Sequence, residues 1–161
     1  MLPPAVWLIV GVLGSPAAPD TSKADLVVIE KATRTLKVIA AGREVAAFRV
    51  ALGREPGQKE CEGDNRTPEG SYAVIGRRAN SSYHRALRLS YPSAADIVRA
   101  SSKGCRPGGN IMIHGARNGL GWLGDRLTTT NWTSGCVALT DQEIERLWEL
   151  VPDGTKVEIR P

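Results

Sequence analysis

Three cysteines and two histidines are the side chains of this sequence best suited to nucleophilic or acid–base chemistry. Cys136 follows the small and polar residues of "NWTSG" and precedes the apolar, strand-like run "VAL". A cysteine attacks as its thiolate, so it needs a base within hydrogen-bond reach. His114 ends the apolar run "IMI" and opens a glycine-rich stretch, where a strand delivers a side chain to the rim of a site. We therefore predict that Cys136 is a nucleophile and that His114 is its base.

The other two cysteines are predicted to form a disulfide. Cys61 lies in a long polar loop and Cys105 in a Gly- and Pro-rich stretch, and both segments would gain from a cross-link in an oxidising compartment. Two free thiols are the alternative. His84 is interpreted as a hydrogen-bonded structural residue. No CxxC or HxxxH spacing occurs, so neither a metal site nor a cofactor is predicted.

Composition predicts one exported domain. The chain has 161 residues and a formal charge of +4, which fits an anionic partner or a generically basic surface but is too dispersed for nucleic acid. An apolar run from Ala5 to Leu13 precedes small residues, so residues 1–17 are expected to be a signal peptide, although no Lys or Arg precedes the run. An ordinary buried N-terminal segment is the alternative. No transmembrane helix is expected beyond this segment.

The remaining pattern predicts a mainly β fold with two short α-helices. Three runs between residues 25 and 52 predict a β-meander, and "SYAVIG", "RALRLSY", "IMI" and "KVEIR" predict further strands. The first helix is predicted to begin after Ser93 as its N-cap. The second has a capping box of Thr140 and Glu143. Its apolar stripe follows helical spacing: Ile144, Leu147, Trp148 and Val151. The long polar loop runs from Gly53 to Gly70.

Several motifs in order resemble one family. "IMIHG" followed by "TSGC" resembles the L,D-transpeptidase catalytic domain of cell-wall enzymes, the YkuD-type fold. The resemblance extends to "VALGREPG", "EGDNRTPEGSYAV", "ALRLSYPSAAD" and "LWELVPDGTKVEI", and implies a catalytic domain over residues 25–160 with a mixed β-sandwich or barrel. It is most similar to the YafK-like branch. The sequence departs from the family at Ser134, where many members have histidine, and at Ala138, where arginine or asparagine is frequent.

The resemblance implies a reaction on peptidoglycan stem peptides. His114 would take the proton of Cys136, and the thiolate would attack a peptide carbonyl between an L- and a D-centre to form a thioester. The backbone carbonyl of Gly115 would orient the imidazole, and backbone N–H groups near Ser134, Gly135 and Cys136 would bind the oxyanion. Transfer to an amine gives a transpeptidase. Transfer to water gives an L,D-carboxypeptidase or amidase-type hydrolase.

Three further residues are candidates for substrate binding. Arg66 suits a substrate carboxylate, and Trp122 and Trp132 fall between the two catalytic positions. Their structural alternatives are a tight turn at Asp64 and packing on the glycine-rich loop. The protein is expected to be a monomer in the periplasm or cell envelope of a bacterium. A non-enzymatic peptidoglycan-binding module remains an alternative, whereas a thiol-redox protein and a papain-type protease are disfavoured.

Overall fold

Residues 21–161 are described by a computed structural model, and they form eight β-strands, two α-helices and one 3-10 helix. The strands are β1 (Leu26–Glu30), β2 (Thr35–Ala40), β3 (Arg43–Arg49), β4 (Gly70–Ser81), β5 (His84–Leu89), β6 (Met112–His114), β7 (Val137–Ala138) and β8 (Lys156–Arg160). The helices are α1 (Ala94–Ser102) and α2 (Asp141–Leu150), and the 3-10 helix is Gly121–Thr128.

All eight strands belong to one mixed sheet in the order β3-β2-β1-β8-β4-β5-β6-β7. The first three form the predicted antiparallel meander, and β8 pairs parallel to β1. Strand β4 joins the two halves of the sheet, because Gly70–Ala73 pair with β8 and the residues from Val74 onward pair with β5. The sheet is therefore continuous, and the short strands β6 and β7 form the edge that lies furthest from β3.

The edge strands bring the two chemically important residues together. Strand β6 ends at His114, and it pairs in parallel with β7, which begins directly after Cys136. In this register His114 is opposite Ala138. Parallel strands require a long connection, so His114 and Cys136 become neighbours only when the intervening glycine-rich stretch and the 3-10 helix have folded back.

Helix α2 supports this edge from beneath. Its Ile144, Leu147 and Leu150 are almost fully buried, and each such burial contributes about 1.5–3 kcal/mol. The predicted capping box is present, since Thr140 accepts from the Glu143 N–H and the Glu143 carboxylate accepts from the Thr140 N–H. The helix therefore begins at a fixed residue, immediately after the strand that follows Cys136.

The mainly β fold with two α-helices predicted from the sequence is confirmed. The Ser93 N-cap of α1 is also present. The 3-10 helix was not predicted, because its residues are rich in glycine, and it is interrupted at Gly124, whose φ is 50°. The predicted signal segment, residues 1–17, lies outside the described residues. Within residues 21–161 there is no helix of the length and apolarity that a membrane span requires.

The long polar loop between β3 and β4 is held by a disulfide and a buried ion pair. Cys61 and Cys105 form the disulfide, with Cα atoms 5.7 Å apart. Lys59 is only 4% exposed, and its Nζ lies 2.8 Å from Asp64 Oδ1. Burial alone would raise the pKa of Asp64, but hydrogen bonds from Lys59 and from backbone N–H groups lower it to about 2. The loop is therefore cross-linked inside the fold rather than free at its surface.

Removing the disulfide is expected to destabilise the protein. Serine at positions 61 and 105 would release a cross-link between residues separated by 44 positions. Chain entropy assigns such a closure about 4 kcal/mol of unfolding free energy. Urea unfolding of the double variant should be compared with its parent, both carrying Cys136→Ala so that no free thiol interferes. An unchanged midpoint would show that the cross-link does not stabilise the loop.

Candidate active site

A cavity of about 820 Å³ opens where β6 and β7 end, and both Cys136 and His114 line it. The β4–β5 hairpin, the segment after His114, the 3-10 helix and the residues before Cys136 supply its walls. Its volume lies in the range typical of sites that bind small molecules or peptides. The edge of the sheet thus ends in a space large enough for a substrate.

His114 is held as the tautomer that can accept a proton. Its Nδ1 lies 2.7 Å from the carbonyl oxygen of Gly115. A carbonyl only accepts hydrogen bonds, so Nδ1 carries the hydrogen and Nε2 is the basic nitrogen of the neutral ring. Burial lowers the pKa of His114 below its usual value, and the Gly115 hydrogen bond offsets part of that effect. The imidazole is therefore neutral at neutral pH.

Gly115 has no room for a side chain. A Cβ there would lie 2.7 Å from Asp141 Oδ1 and 3.0 Å from Ile144 Cγ2. The same Asp141 oxygen accepts a hydrogen bond from the Ala116 N–H at 2.8 Å, and the Gly115 N–H donates to the backbone oxygens of Tyr83 and Arg85. The first residue of α2 and the start of β5 thus fix the peptide that orients His114.

Cys136 lies on a tightly bonded backbone loop. The hydroxyl of Thr133 donates to the Cys136 carbonyl at 2.7 Å and accepts from the Gly135 N–H at 3.1 Å. Gly135 has a φ of 130°, and a Cβ there would lie 2.8 Å from the Arg66 carbonyl oxygen. Only glycine fits this close approach with positive φ. The polar loop closed by the disulfide therefore packs against Gly135, the residue before Cys136.

The thiol is neutral in this arrangement. Burial raises the pKa of Cys136, while the Met112 backbone and the positive charge of Lys59 lower it in part. Its Sγ donates to the Asn110 carbonyl at 3.6 Å. Among the hydrogen bonds of residues 21–161, none joins His114 to Cys136 directly. The two side chains are therefore a neutral thiol and a neutral imidazole at neutral pH.

Ser134 and Trp132 line the cavity with His114 and Cys136. The Trp132 ring lies 5.9 Å from the His114 ring, and its Nε1 donates to the Leu127 carbonyl at 2.9 Å. Trp122, in contrast, is 74% exposed and is not part of the cavity lining.

Two other predicted positions also lie outside the cavity lining. The Arg66 guanidinium is 3.8 Å from the Glu60 carboxylate, and its backbone N–H donates to Asp64 Oδ1. This is the turn geometry expected of the structural alternative. His84 lies next to Gly115, since a Cβ at position 115 would be 3.1 Å from the His84 Cβ, and its Nε2 is 2.7 Å from Glu145 Oε1.

Several lining residues were not singled out in the sequence. The Tyr83 ring lies 4.5 Å from the His114 ring, at the tip of the β4–β5 hairpin, where no motif marks it. Arg54 and Arg117 lie in the glycine-containing motifs "GREPG" and "HGARNG", and these glycines are the only sequence feature that could have marked the two arginines as cavity residues. Arg78 and Arg126 come from other segments of the chain, and their spacing in the sequence does not indicate that they line the cavity. Within the described part of the chain, no group of His, Cys, Asp or Glu residues is placed to hold a metal ion.

A comparison with protein families finds one match. The model of the YkuD family, described as the L,D-transpeptidase catalytic domain, matches residues 24–159. This range contains both residues of the His–Cys pair and every strand and helix described above. No curated protein matches the sequence.

Solved structures share the fold. A mutant of the helical cell shape determining protein Pgp2 from Campylobacter jejuni is 25% identical with a TM-score of 0.65, covering 86% of this chain and 47% of that chain. An L,D-transpeptidase from Xylanimonas cellulosilytica is 20% identical with a TM-score of 0.55, covering 90% and 64%. An L,D-transpeptidase from Mycobacterium smegmatis is 15% identical with a TM-score of 0.58, covering 86% and 59%. The chain spans about half the length of Pgp2.

Gly115→Ala is expected to disturb the support of His114. The new methyl group would collide with Asp141 and Ile144, and overpacking of this kind costs about 1–3 kcal/mol of unfolding free energy. Gly109→Ala is the matched control, because a Cβ at Gly109 meets nothing within 4 Å and its φ is not positive. Urea unfolding of both variants measures the difference. Equal stability of the two would contradict the close packing at Gly115.

The pH dependence of Cys136 alkylation should show a neutral pair. Because burial raises the thiol pKa and lowers that of His114, the rate with iodoacetamide should be low at neutral pH and rise into the alkaline range. Intact-protein mass spectrometry gives this rate. A plateau reaching into acidic pH would indicate a thiolate–imidazolium pair and contradict the assignment.

Lys59→Met should move the alkylation profile to higher pH, since the Lys59 charge favours the thiolate. Lys31→Met is the control. Lys31 braces the same loop through the Thr67 carbonyl and the Glu69 carboxylate, but its charge is not a cause of the Cys136 pKa shift. A profile that moves equally in both variants would point to loosening of the loop instead of a charge effect.

Proposed function

Because the chain belongs to the YkuD family of L,D-transpeptidase catalytic domains, we propose that it modifies peptidoglycan through a thioester on Cys136. The observation that carries the proposal is the single cavity lined by Cys136 and by His114, whose proton-accepting tautomer is fixed by the Gly115 carbonyl. A wall-binding module would need a groove but neither a free thiol nor an oriented base.

The reaction begins with proton transfer inside the cavity. Nε2 of His114 takes the proton from Cys136 as the thiolate attacks a carbonyl between an L- and a D-centre of a stem peptide. The carbon–nitrogen bond then breaks, the thioester remains on Cys136, and the leaving amine takes its proton from His114. A neutral His114 and a neutral Cys136 suit this sequence of steps. The proton moves from Cys136 to His114 only when a substrate carbonyl is present to accept the electron pair of the sulfur.

The oxyanion of the tetrahedral intermediate needs backbone donors near the nucleophile. The Gly135 N–H is committed to the Thr133 hydroxyl, so the N–H groups of Ser134 and Cys136 are the donors we assign. One such donor is worth about 3 kcal/mol of transition-state stabilisation. The rigid Thr133–Cys136 loop holds these groups in place before the substrate arrives, which avoids the cost of ordering them during the reaction.

The acyl acceptor decides the product. We favour transpeptidation to an amine, because the family model that matches the chain describes an L,D-transpeptidase catalytic domain. Water as the acceptor would give an L,D-carboxypeptidase or amidase-type hydrolase by the same thioester. Ser134, in place of the frequent histidine, is our reason for assigning the chain to the YafK-like branch of the family.

We further propose that the protein acts as an exported monomer in a bacterial envelope. The substrate of this chemistry lies outside the cytoplasm, and the apolar run at Ala5–Leu13 is the segment that would direct export. The Cys61–Cys105 disulfide supports the same location, since disulfides persist in oxidising compartments.

The deciding experiment is a digest of cross-linked peptidoglycan, read by mass spectrometry. The protein should form new L,D cross-links or exchange D-amino acids, and Cys136→Ala should do neither. His114→Gln should lower the rate about 100-fold or more, as expected for loss of a general base. His84→Gln is the matched control, because His84 does not line the cavity. Released stem fragments without new cross-links would identify the hydrolase.

Identical digests with the protein and with Cys136→Ala would contradict the enzymatic proposal. Retention of both proteins on insoluble peptidoglycan would then favour the binding module. If His114→Gln modified peptidoglycan as fast as His84→Gln, His114 would not be the base.

A further inference from the structure

The charged lining of the cavity is entirely positive, apart from the neutral His114. Four arginines contribute to it, and no Asp or Glu does: the arginines are Arg54, Arg78, Arg117 and Arg126. They come from the loop after β3, from β4, from the segment after His114 and from the 3-10 helix. Positive charge therefore reaches the cavity from several of its walls.

None of these four arginines has a carboxylate partner within residues 21–161. Arg54 donates to two neutral oxygens, Asn65 Oδ1 at 3.1 Å and Ser134 Oγ at 3.3 Å. The guanidinium groups of the other three make no hydrogen bond in this part of the chain, and all three side chains are exposed. Arginines elsewhere are commonly paired, as in Arg85–Glu145, Arg99–Asp96 and Arg106–Glu62.

Part of the remaining lining is apolar. Leu120, Leu123, Leu127 and Met112 face the same cavity. Walls of low polarity focus the field of nearby charges into a cleft, so four uncompensated guanidinium groups favour an anionic ligand there. An extended peptide that carries several carboxylates matches both parts of this lining, because its backbone can follow the apolar surface while its carboxylates meet the arginines.

We propose that these arginines make the site select donor stem peptides with free carboxylates over the same stems with those carboxylates amidated. This inference rests on the proposed function. A guanidinium binds a carboxylate through two parallel N–H···O bonds. A primary amide is nearly the same size as a carboxylate, but it has no charge. Its NH2 group is a hydrogen-bond donor and cannot accept a hydrogen bond from the N–H groups of arginine.

The arginines divide by position. Arg54 is hydrogen-bonded to Ser134, two residues before the nucleophile, and it meets a carboxylate close to the scissile bond. Arg78, Arg117 and Arg126 are free to turn toward carboxylates further along the donor. Their long side chains are unrestrained by partners, so each can adopt the geometry that the bound stem requires.

Matched synthetic tetrapeptide stems, one with free carboxylates and one with its side-chain carboxylates amidated, test the selection. The acid form should bind Cys136→Ala about 10-fold or more tightly than the amide form, as charged hydrogen bonds allow. With the protein carrying its thiol, kcat/KM should show the same preference. Added salt should reduce the preference, since exposed charges are screened. Titration calorimetry and steady-state rates give the two ratios.

Arginine variants identify the groups responsible. Arg54→Gln, Arg78→Gln, Arg117→Gln and Arg126→Gln should each lower the acid-to-amide ratio, and the variant with all four changes should bring it close to one. Arg88→Gln is the matched control. Arg88 is an exposed arginine of β5 without an ion pair in the described part of the chain, and it does not line the cavity. All of these side chains are exposed, so folding should be preserved.

The outcomes separate the two proposals. Equal binding and equal turnover of the acid and amide stems would overturn the selection and leave the proposed function standing. A preference that survives when all four arginines are replaced would also overturn it, because the arginines would not be its source. If neither stem were bound or processed, and Cys136→Ala behaved identically, the proposed function would fail and the selection with it.

Discussion

The hydrogen bond from His114 Nδ1 to the carbonyl of Gly115 constrains the structure around it more than any other contact in the site. It fixes which imidazole nitrogen is basic, and it can form only while the Gly115 peptide keeps one orientation. That orientation is set from two directions, by the β5 backbone through the Gly115 N–H and by Asp141 at the start of α2. A residue larger than glycine would collide with Asp141. The fold therefore supplies the tautomer through packing, without a buried carboxylate behind the histidine.

Cys136 is constrained by a different part of the chain, the long polar loop. Gly135 packs on the Arg66 backbone of the long polar loop, and that loop is held by the Cys61–Cys105 disulfide and by the Lys59–Asp64 pair. The loop thus has two effects on Cys136, one steric and one electrostatic. Burial raises the thiol pKa and the Lys59 charge opposes this shift. The thiol therefore stays protonated at neutral pH, although the positive charge of Lys59 favours its ionised form.

The sheet explains why these contacts coexist with an open cavity. Strands β6 and β7 have only three and two residues and end the sheet, although Ile113 and Val137 in them are fully buried in the core. Beyond them the chain runs through loops and a kinked 3-10 helix, whose side chains need not fill a core. Arginines can remain there without partners because the cavity is open to water, and desolvation of an unpaired charge would otherwise be costly.

The sequence by itself determined the features that depend on neighbouring residues. The capping boxes at Ser93 and Thr140, the apolar stripe of α2 and the strand patterns are all local, since side-chain period and cap spacing act within a few positions. The presence of Cys136 and His114 in one site could also be predicted, because few other residues of the sequence offer nucleophilic or acid–base chemistry, and both line the same cavity. Only the tertiary structure decided which distant residues meet in the site. Two tryptophans that both fall between His114 and Cys136 in the sequence separate, Trp132 beside His114 and Trp122 in solvent. Tyr83 and the four cavity arginines converge from segments far apart in the chain, and the need for glycine at position 115 arises from Asp141 of a later helix. Contacts of this kind follow from how the sheet edge, the polar loop and α2 pack together. That packing cannot be predicted from the spacing of residues along the chain.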